Sequence, residues 1–235
     1  MNKKFSYIGV ALVILIFGIY VVRNFDSRVS QDQVIDDNRL NKVERKTFKS
    51  DLVSFHKVPE FQFIDQNGIT ITNKSYEGKV YVVEFFFTTC PTICPIMNQK
   101  MLMIQKDFLN ESDFGIASIS ITPDIDTPYA LRQYATQYGI IQENWHLLTG
   151  RSNDVVSSLA NKGFKLYAGK GDESHGGFEH SGLFALVDKT GVIRSRKDKF
   201  GNPIMYYRAL EENNFPDQII ELKQDIKKLL HEQTR

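Results

Sequence analysis

Hydrophobic and polar positions divide the chain into three stretches. Residues 5–22 carry no charge, and at ~1.5 Å per residue a helix of that length measures roughly 27 Å, the thickness of a bilayer's hydrocarbon core. Lys3 and Lys4 precede the run and Arg23 closes it, and its end is bulky (Tyr20, Val21, Val22) where a cleaved leader would have small residues. The pattern therefore predicts an uncleaved, single-pass transmembrane anchor over residues 1–23. The basic N-terminus should stay in the cytoplasm. Residues 24–235 are then expected outside it, at the cell membrane and, in a bacterium, in the periplasm. Residues 24–57 turn polar, with Asp26, Asp32, Asp36, Asp37, Arg39, Lys42, Glu44, Arg45 and Lys46 among scattered Val, Ile and Leu, as expected of a linker.

From residue 58 to 235 the pattern switches between strand and helix periods. Runs at 61–64 and 69–71 flank Asp65-Gln-Asn-Gly68, a hairpin signal. Residues 80–87 are a nearly continuous β-branched and aromatic run, as for a strand buried on both faces, and it leads into Cys90. Pro95 suits a first helical turn, and helical spacing continues to about Leu109. A second unit follows: a strand at 115–121, a loop with Pro123, and a helix at 127–138 opened by Thr-Pro. A short strand at 145–148, a helix near 153–161, a hairpin of 183–187 with 192–195, and an amphipathic helix over 216–231 complete the chain. Strand, helix, strand, helix, hairpin and helix, with a cysteine motif ending the first central strand, is the order of a thioredoxin-like α/β fold with an N-terminal β-hairpin.

Composition narrows the function classes. Lys+Arg number 29 against 28 Asp+Glu, a net charge of +1, and no long aromatic-basic stripe appears, so no nucleic-acid partner is expected. At 42% hydrophobic and 24% charged the chain is not mainly disordered. About 180 residues remain after the anchor and linker, enough to bury a core without staples, so the two cysteines are available for chemistry.

Both lie in Thr88-Thr-Cys90-Pro91-Thr92-Ile93-Cys94-Pro95, at a strand-to-helix junction where amides and the helix dipole favour thiolate. The spacing is C-x-x-x-C, one residue longer than that of dithiol oxidoreductases. On a helical turn, positions i and i+4 share a face, so the two sulfurs can meet on one metal ion or on each other. Two thiolates suit copper(I), and an added imidazole also accommodates copper(II). A local structural disulfide and a metal-free redox pair stay open. Of five histidines, His56, His146 and His231 read as structural. His175 and His180 sit in a glycine-rich loop entering a strand, where backbone can approach the cysteines closely. His180, next to the strand, is the better fixed; His175, beside Gly176 and Gly177, is the lesser alternative, expected as a mobile substitute.

Taken in order, Phe85-Phe-Phe-Thr-Thr-Cys-Pro-Thr-Ile-Cys-Pro-Ile-Met97, Ser118-Ile-Ser-Ile-Thr-Pro-Asp-Ile-Asp-Thr-Pro128, Trp145-His-Leu-Leu-Thr-Gly150 and His180-Ser-Gly-Leu-Phe-Ala-Leu-Val-Asp-Lys-Thr-Gly191 resemble the Sco/SenC family. The resemblance spans roughly residues 59–230. It implies metal ligands at Cys90, Cys94 and His180, a copper ion as Cu(I) or Cu(II), and a chaperone that helps metallate the dicopper centre of cytochrome c oxidase. The implied partners are the copper-receiving oxidase subunit and a thiol-disulfide reductant; the chaperone delivers copper, reduces its target's cysteines, or both. Where many members carry Asp before the second motif's Pro, this chain has Thr122, leaving Asp124 and Asp126 as the nearby carboxylates. Before the ligand His it has Glu179, which keeps the charge. Phe184-Ala185 replaces an aromatic and reads as repacking.

Met97 and Met101, four apart, read as core and not as a copper relay with Met103. Arg194, Arg196, Lys197 and Lys199 read as an exposed basic strand end, with docking to an acidic partner as the alternative. A binding protein without turnover competes with a thiol-disulfide oxidoreductase or thiol peroxidase in which Cys90 attacks and Cys94 resolves as a redox-active pair. A distant imidazole separates the two, since only the metal site needs it.

Overall fold

The strongest apolar run of the chain becomes the centre of the sheet. The structure, a computed structural model, describes residues 13–17, 19–20, 49–172, 177–211 and 214–232. Its contacts separate two units, Met1–Lys46 and Thr47–Arg235. In the first, residues 13–17 and 19–20 are helical. Among the described residues no helix is long and apolar enough to cross a membrane; most of the expected anchor and of the linker lies outside the described residues.

In the second unit β4 (Val80–Phe86) is buried at every position and pairs in parallel with the equally buried β5 (Phe114–Ser120), from Val80 opposite Phe114 to Phe86 opposite Ser120. Continuous burial on both faces explains why these runs lack the alternation of a half-exposed strand. β5 pairs in parallel with β6 (Trp145–Thr149), which carries the antiparallel hairpin β2 (Gln62–Asp65) and β3 (Thr70–Thr72). The hairpin turn requires Gly68, at φ +80°. On the other side β4 pairs antiparallel with β9 (Leu183–Val187), and the sheet continues through β10 (Val192–Ser195) to β1 (Val53–Lys57). β7 (Ala168–Lys170) and β8 (Phe178–His180) form a separate two-stranded sheet, and β11 (Tyr207–Arg208) pairs with β9.

Helix α1 (Ile93–Phe108) follows β4 and buries Met97, Met101, Ile104 and Phe108; α2 (Pro128–Tyr138) follows β5, capped by Thr127 with Pro first in the helix and Gly139 ending it at φ +69°. α3 (Asn153–Ser158) runs on into a π-helical turn, and α4 (Ile219–His231) buries Ile219, Leu222, Ile226 and Leu229. Lys100 to Asp217 at 2.7 Å and Lys223 to Asp107 at 3.0 Å tie α1 to the α4 region.

Several expectations need correction. Residues 53–57, read as linker, are β1: its burial alternates only weakly, so a polar edge strand resembles a spacer. One expectation holds: α1 begins at Ile93, so Pro95 stands in its first turn, where the amides have no helical acceptor and tolerate proline. Of the basic cluster, Lys197 and Lys199 are exposed as expected, but the two arginines are not free. Arg194 is buried, bonding Asp188 at 2.8 Å and Glu232 at 3.2 Å, and Arg196 grips the fully buried Asp225 at 2.6 Å.

Candidate metal centre

The parallel strands β4 and β5 end at the same edge of the sheet, and the chemistry gathers there. After β4 the chain turns tightly: the Phe87 carbonyl accepts from the Cys90 amide at 3.3 Å. Cys90 precedes α1, whereas Cys94 lies in its first turn. The sulfurs therefore approach through a turn, and the expected shared helix face is corrected. Thr92, at the helix start, makes no side-chain cap; its Oγ1 lies 3.7 Å from Cys90 Sγ. Both cysteines are free thiols, Cys90 8% and Cys94 3% exposed.

The third donor arrives from β8. His180 ends that strand opposite Ala168, and its Nε2 lies 3.0 Å from Cys94 Sγ. One ligand atom from each of Cys90, Cys94 and His180 lies within 4.8 Å of the others. His180 Nδ1 is 3.2 Å from the Ser181 carbonyl. A carbonyl only accepts, so Nδ1 carries a proton there and Nε2 is the nitrogen turned to the sulfurs, the orientation of a metal-ligating imidazole. The ring packs edge-on against Phe87, centroids 6.0 Å apart. A cleft of about 310 Å³ opens beside Cys90, walled by Phe87, Ile93, Tyr167, Phe178 and His180. A larger cleft of about 720 Å³ between 59–63 and 154–163 contains neither cysteine nor histidine.

The two thiols share one charge unequally. A hydrogen bond from Cys94, then ones from His180 and the amides of Cys94 and Thr92, pull Cys90 down to about 3 against the cost of burial. Cys94 is pushed far up, first by donating to Cys90 and then by burial. Cys90 is the thiolate and Cys94 its proton-bearing partner.

A carboxylate the sequence did not flag lies beneath. Glu84, within the apolar β4, is buried, and desolvation raises it from 4.5 to about 7, against a hydrogen bond from Ser118 and the nearby His180. Ser118 Oγ donates to Glu84 at 2.6 Å, and Trp145 Nε1 donates to Ser118 Oγ at 3.0 Å. The signal available was one charged residue in a run otherwise wholly apolar. The Asp126 carboxylate accepts from Ser120 Oγ at 2.5 Å, Thr122 Oγ1 at 3.0 Å, the Thr88 amide at 3.2 Å and the Thr88 hydroxyl. Thr122 thus serves as a donor where a carboxylate would repel Asp126.

The other candidates stand apart. His56 bonds the Gly163 carbonyl at 3.0 Å, His146 pairs with Asp65 at 3.1 Å, and His231 reaches the Lys227 carbonyl at 2.7 Å. His175 lies outside the described residues. Met97 and Met101 are buried core and Met103 is exposed.

The SCO1/SenC family model matches residues 51–213. The chain is similar to the SCO1 protein homolog of Bacillus subtilis, 32% identical over 169 residues, which are 72% of this chain and 82% of that protein. Among solved structures, a SCO1/SenC family lipoprotein from Bacillus anthracis matches with a TM-score of 0.63 at 28% identity, covering 74% of this chain and 94% of that one. BsSco, described with a disulfide switch and as a member of the Sco family of cytochrome c oxidase assembly proteins, matches with a TM-score of 0.62 at 29% identity, covering 77% and 96%.

Proposed function

The chain belongs to the SCO1/SenC family, and from that premise we propose that it is a membrane-tethered, extracytoplasmic copper chaperone. It holds one copper ion as cargo on Cys90, Cys94 and His180 and assists metallation of the dicopper centre of cytochrome c oxidase, whose copper-receiving subunit is its partner. The observation that carries this reading is the convergence of two sulfurs and an imidazole within 4.8 Å. Two soft thiolates supply affinity for Cu(I), and a neutral imidazole lets Cu(II) bind as well. The uncharged segment 5–22 supplies the tether and the polar stretch after it supplies the reach.

A second reading is supported by the polarity of the pair. Cys90, held as thiolate, attacks a disulfide of the target, and Cys94, holding the proton, resolves the mixed disulfide. In this role the protein reduces the cysteines that are to receive copper, and a reductant restores it.

Copper and zinc offered in competition to the reduced full-length protein test the first reading. One copper per chain is expected, with most binding lost in Cys90→Ser and Cys94→Ser and none in the oxidised protein, whose thiolates are consumed. His180→Ala should weaken Cu(II) at least about tenfold while sparing Cu(I), which tolerates two-coordinate thiolate binding. Wild-type Cu(II) affinity in His180→Ala would reject the three-ligand site.

A further inference from the structure

The Phe87–Thr88 peptide anchors the turn that carries Cys90. Its carbonyl accepts the Cys90 amide at 3.3 Å, and the peptide before it meets Cys94 through the Phe87 amide. The same peptide is held from the other side: its N–H, that of Thr88, donates to Asp126 Oδ2 at 3.2 Å, and the Thr88 hydroxyl donates to Asp126 Oδ1. Asp126 is wholly buried, and its other partners, Ser120 Oγ at 2.5 Å and Thr122 Oγ1 at 3.0 Å, belong to β5 and the loop after it. Hydroxyls and an amide, rather than a cation, satisfy this anion. Such charge-assisted bonds are short and directional, which suits them to fixing a backbone unit in place.

We infer that Asp126 is a positioning residue, clamping the Phe87–Thr88 peptide to the end of β5 so that the two sulfurs are held in register with His180. It touches neither sulfur. A buried carboxylate with four donors could equally be a structural knot that holds two loops together, but then each donor would matter in proportion to its bond alone. The clamp makes a different demand: the bonds to Thr88 lead to the sulfurs, whereas the bond from Ser120 anchors the carboxylate from within the sheet.

The experiment compares donors of the same chemistry on the two sides of one carboxylate. In the full-length protein, Thr88→Val and Ser120→Ala each remove one hydroxyl donor to Asp126. Three quantities are measured: the thermal midpoint, the equilibrium constant for exchange of the Cys90–Cys94 pair with glutathione, and the thiolate-to-copper(II) absorption. Both variants should lose stability. Thr88→Val should shift the glutathione constant at least about tenfold, ~30 mV for a two-electron couple, and move the absorption band. Thr88→Ser should restore both to within about twofold, and Ser120→Ala should leave them there. Asp126→Asn, which keeps the shape but weakens the acceptor, should reproduce the shift and serves if Thr88→Val does not fold. Equal shifts in Thr88→Val and Ser120→Ala, or a wild-type constant in Thr88→Val or Asp126→Asn, would overturn the inference. The spectroscopic readout alone rests on the copper reading: a wild-type protein that takes up no copper ends that reading, and the glutathione constants still decide the clamp.

Discussion

Glu84→Gln should gain stability relative to the wild type as the pH rises from about 4 to 8. Burial raises this carboxyl from 4.5 to about 7, so the folded state binds a proton that the unfolded chain has already released. Stability from this group is fully present below pH 4.5, falls as the pH rises towards 7, and is constant at its lower value above that. The gap of about 2.5 pH units, at ~1.4 kcal/mol each, amounts to ~3 kcal/mol. Glutamine keeps an oxygen to accept from Ser118 but carries no charge, so it removes the pH-dependent loss. Its NH2 group, if left without a partner, costs ~1–3 kcal/mol at every pH. The difference between variant and wild type should therefore change by ~3 kcal/mol in the variant's favour between pH 4 and pH 8, roughly 6–12 °C in midpoint for a unit of this size. Urea titrations of the reduced protein across that range measure it. Emission from Trp145 is the natural probe, since its indole is two hydrogen bonds from Glu84 through Ser118. Parallel stability curves for the two proteins, at whatever offset, would refute the buried neutral carboxyl.

Cys90, held near 3, should be alkylated by iodoacetamide at a rate nearly flat from pH 5 to pH 8, with Cys94 unmodified in the native protein. Peptide mass spectrometry reads both, and a rate climbing tenfold per pH unit would show an ordinary thiol. Protease added to the outer face of intact cells or spheroplasts should degrade the domain while the protein resists carbonate extraction; full protection would reverse the proposed orientation.

What the sequence made legible follows the size of the physical signal. β4 and β5 could be read because burial on both faces leaves a run of apolar residues that no loop would carry. The cysteines and His180 were legible because their chemistry is rare and their motifs are ordered along the chain, although 86 residues separate Cys94 from the imidazole it meets. β1 was hidden because an edge strand with one solvated side keeps a polar composition. Arg194 and Arg196 looked like a surface patch because a charge run says nothing of where its partners lie. Those of Arg194 include Glu232, 38 residues on, and that of Arg196 is Asp225, 29 residues on. Glu84 passed unnoticed since its consequence depends on what the fold stacks above it.

The first and last described segments of the larger unit meet at one point. Ser50 Oγ donates to Glu232 Oε2 at 2.8 Å, and Arg194 bonds both residues. A short peptide joining residue 232 to residue 49 would close the unit into a ring, and the ring could be cut again at the exposed Gly68 turn without touching β4, the cysteine turn, α1 or β8. The order in which the elements are synthesised is thus separable from the architecture they build. A permuted gene offers a way to move the point of attachment of the proposed tether from one rim of the sheet to another and to ask how far orientation governs the encounter with the proposed partner.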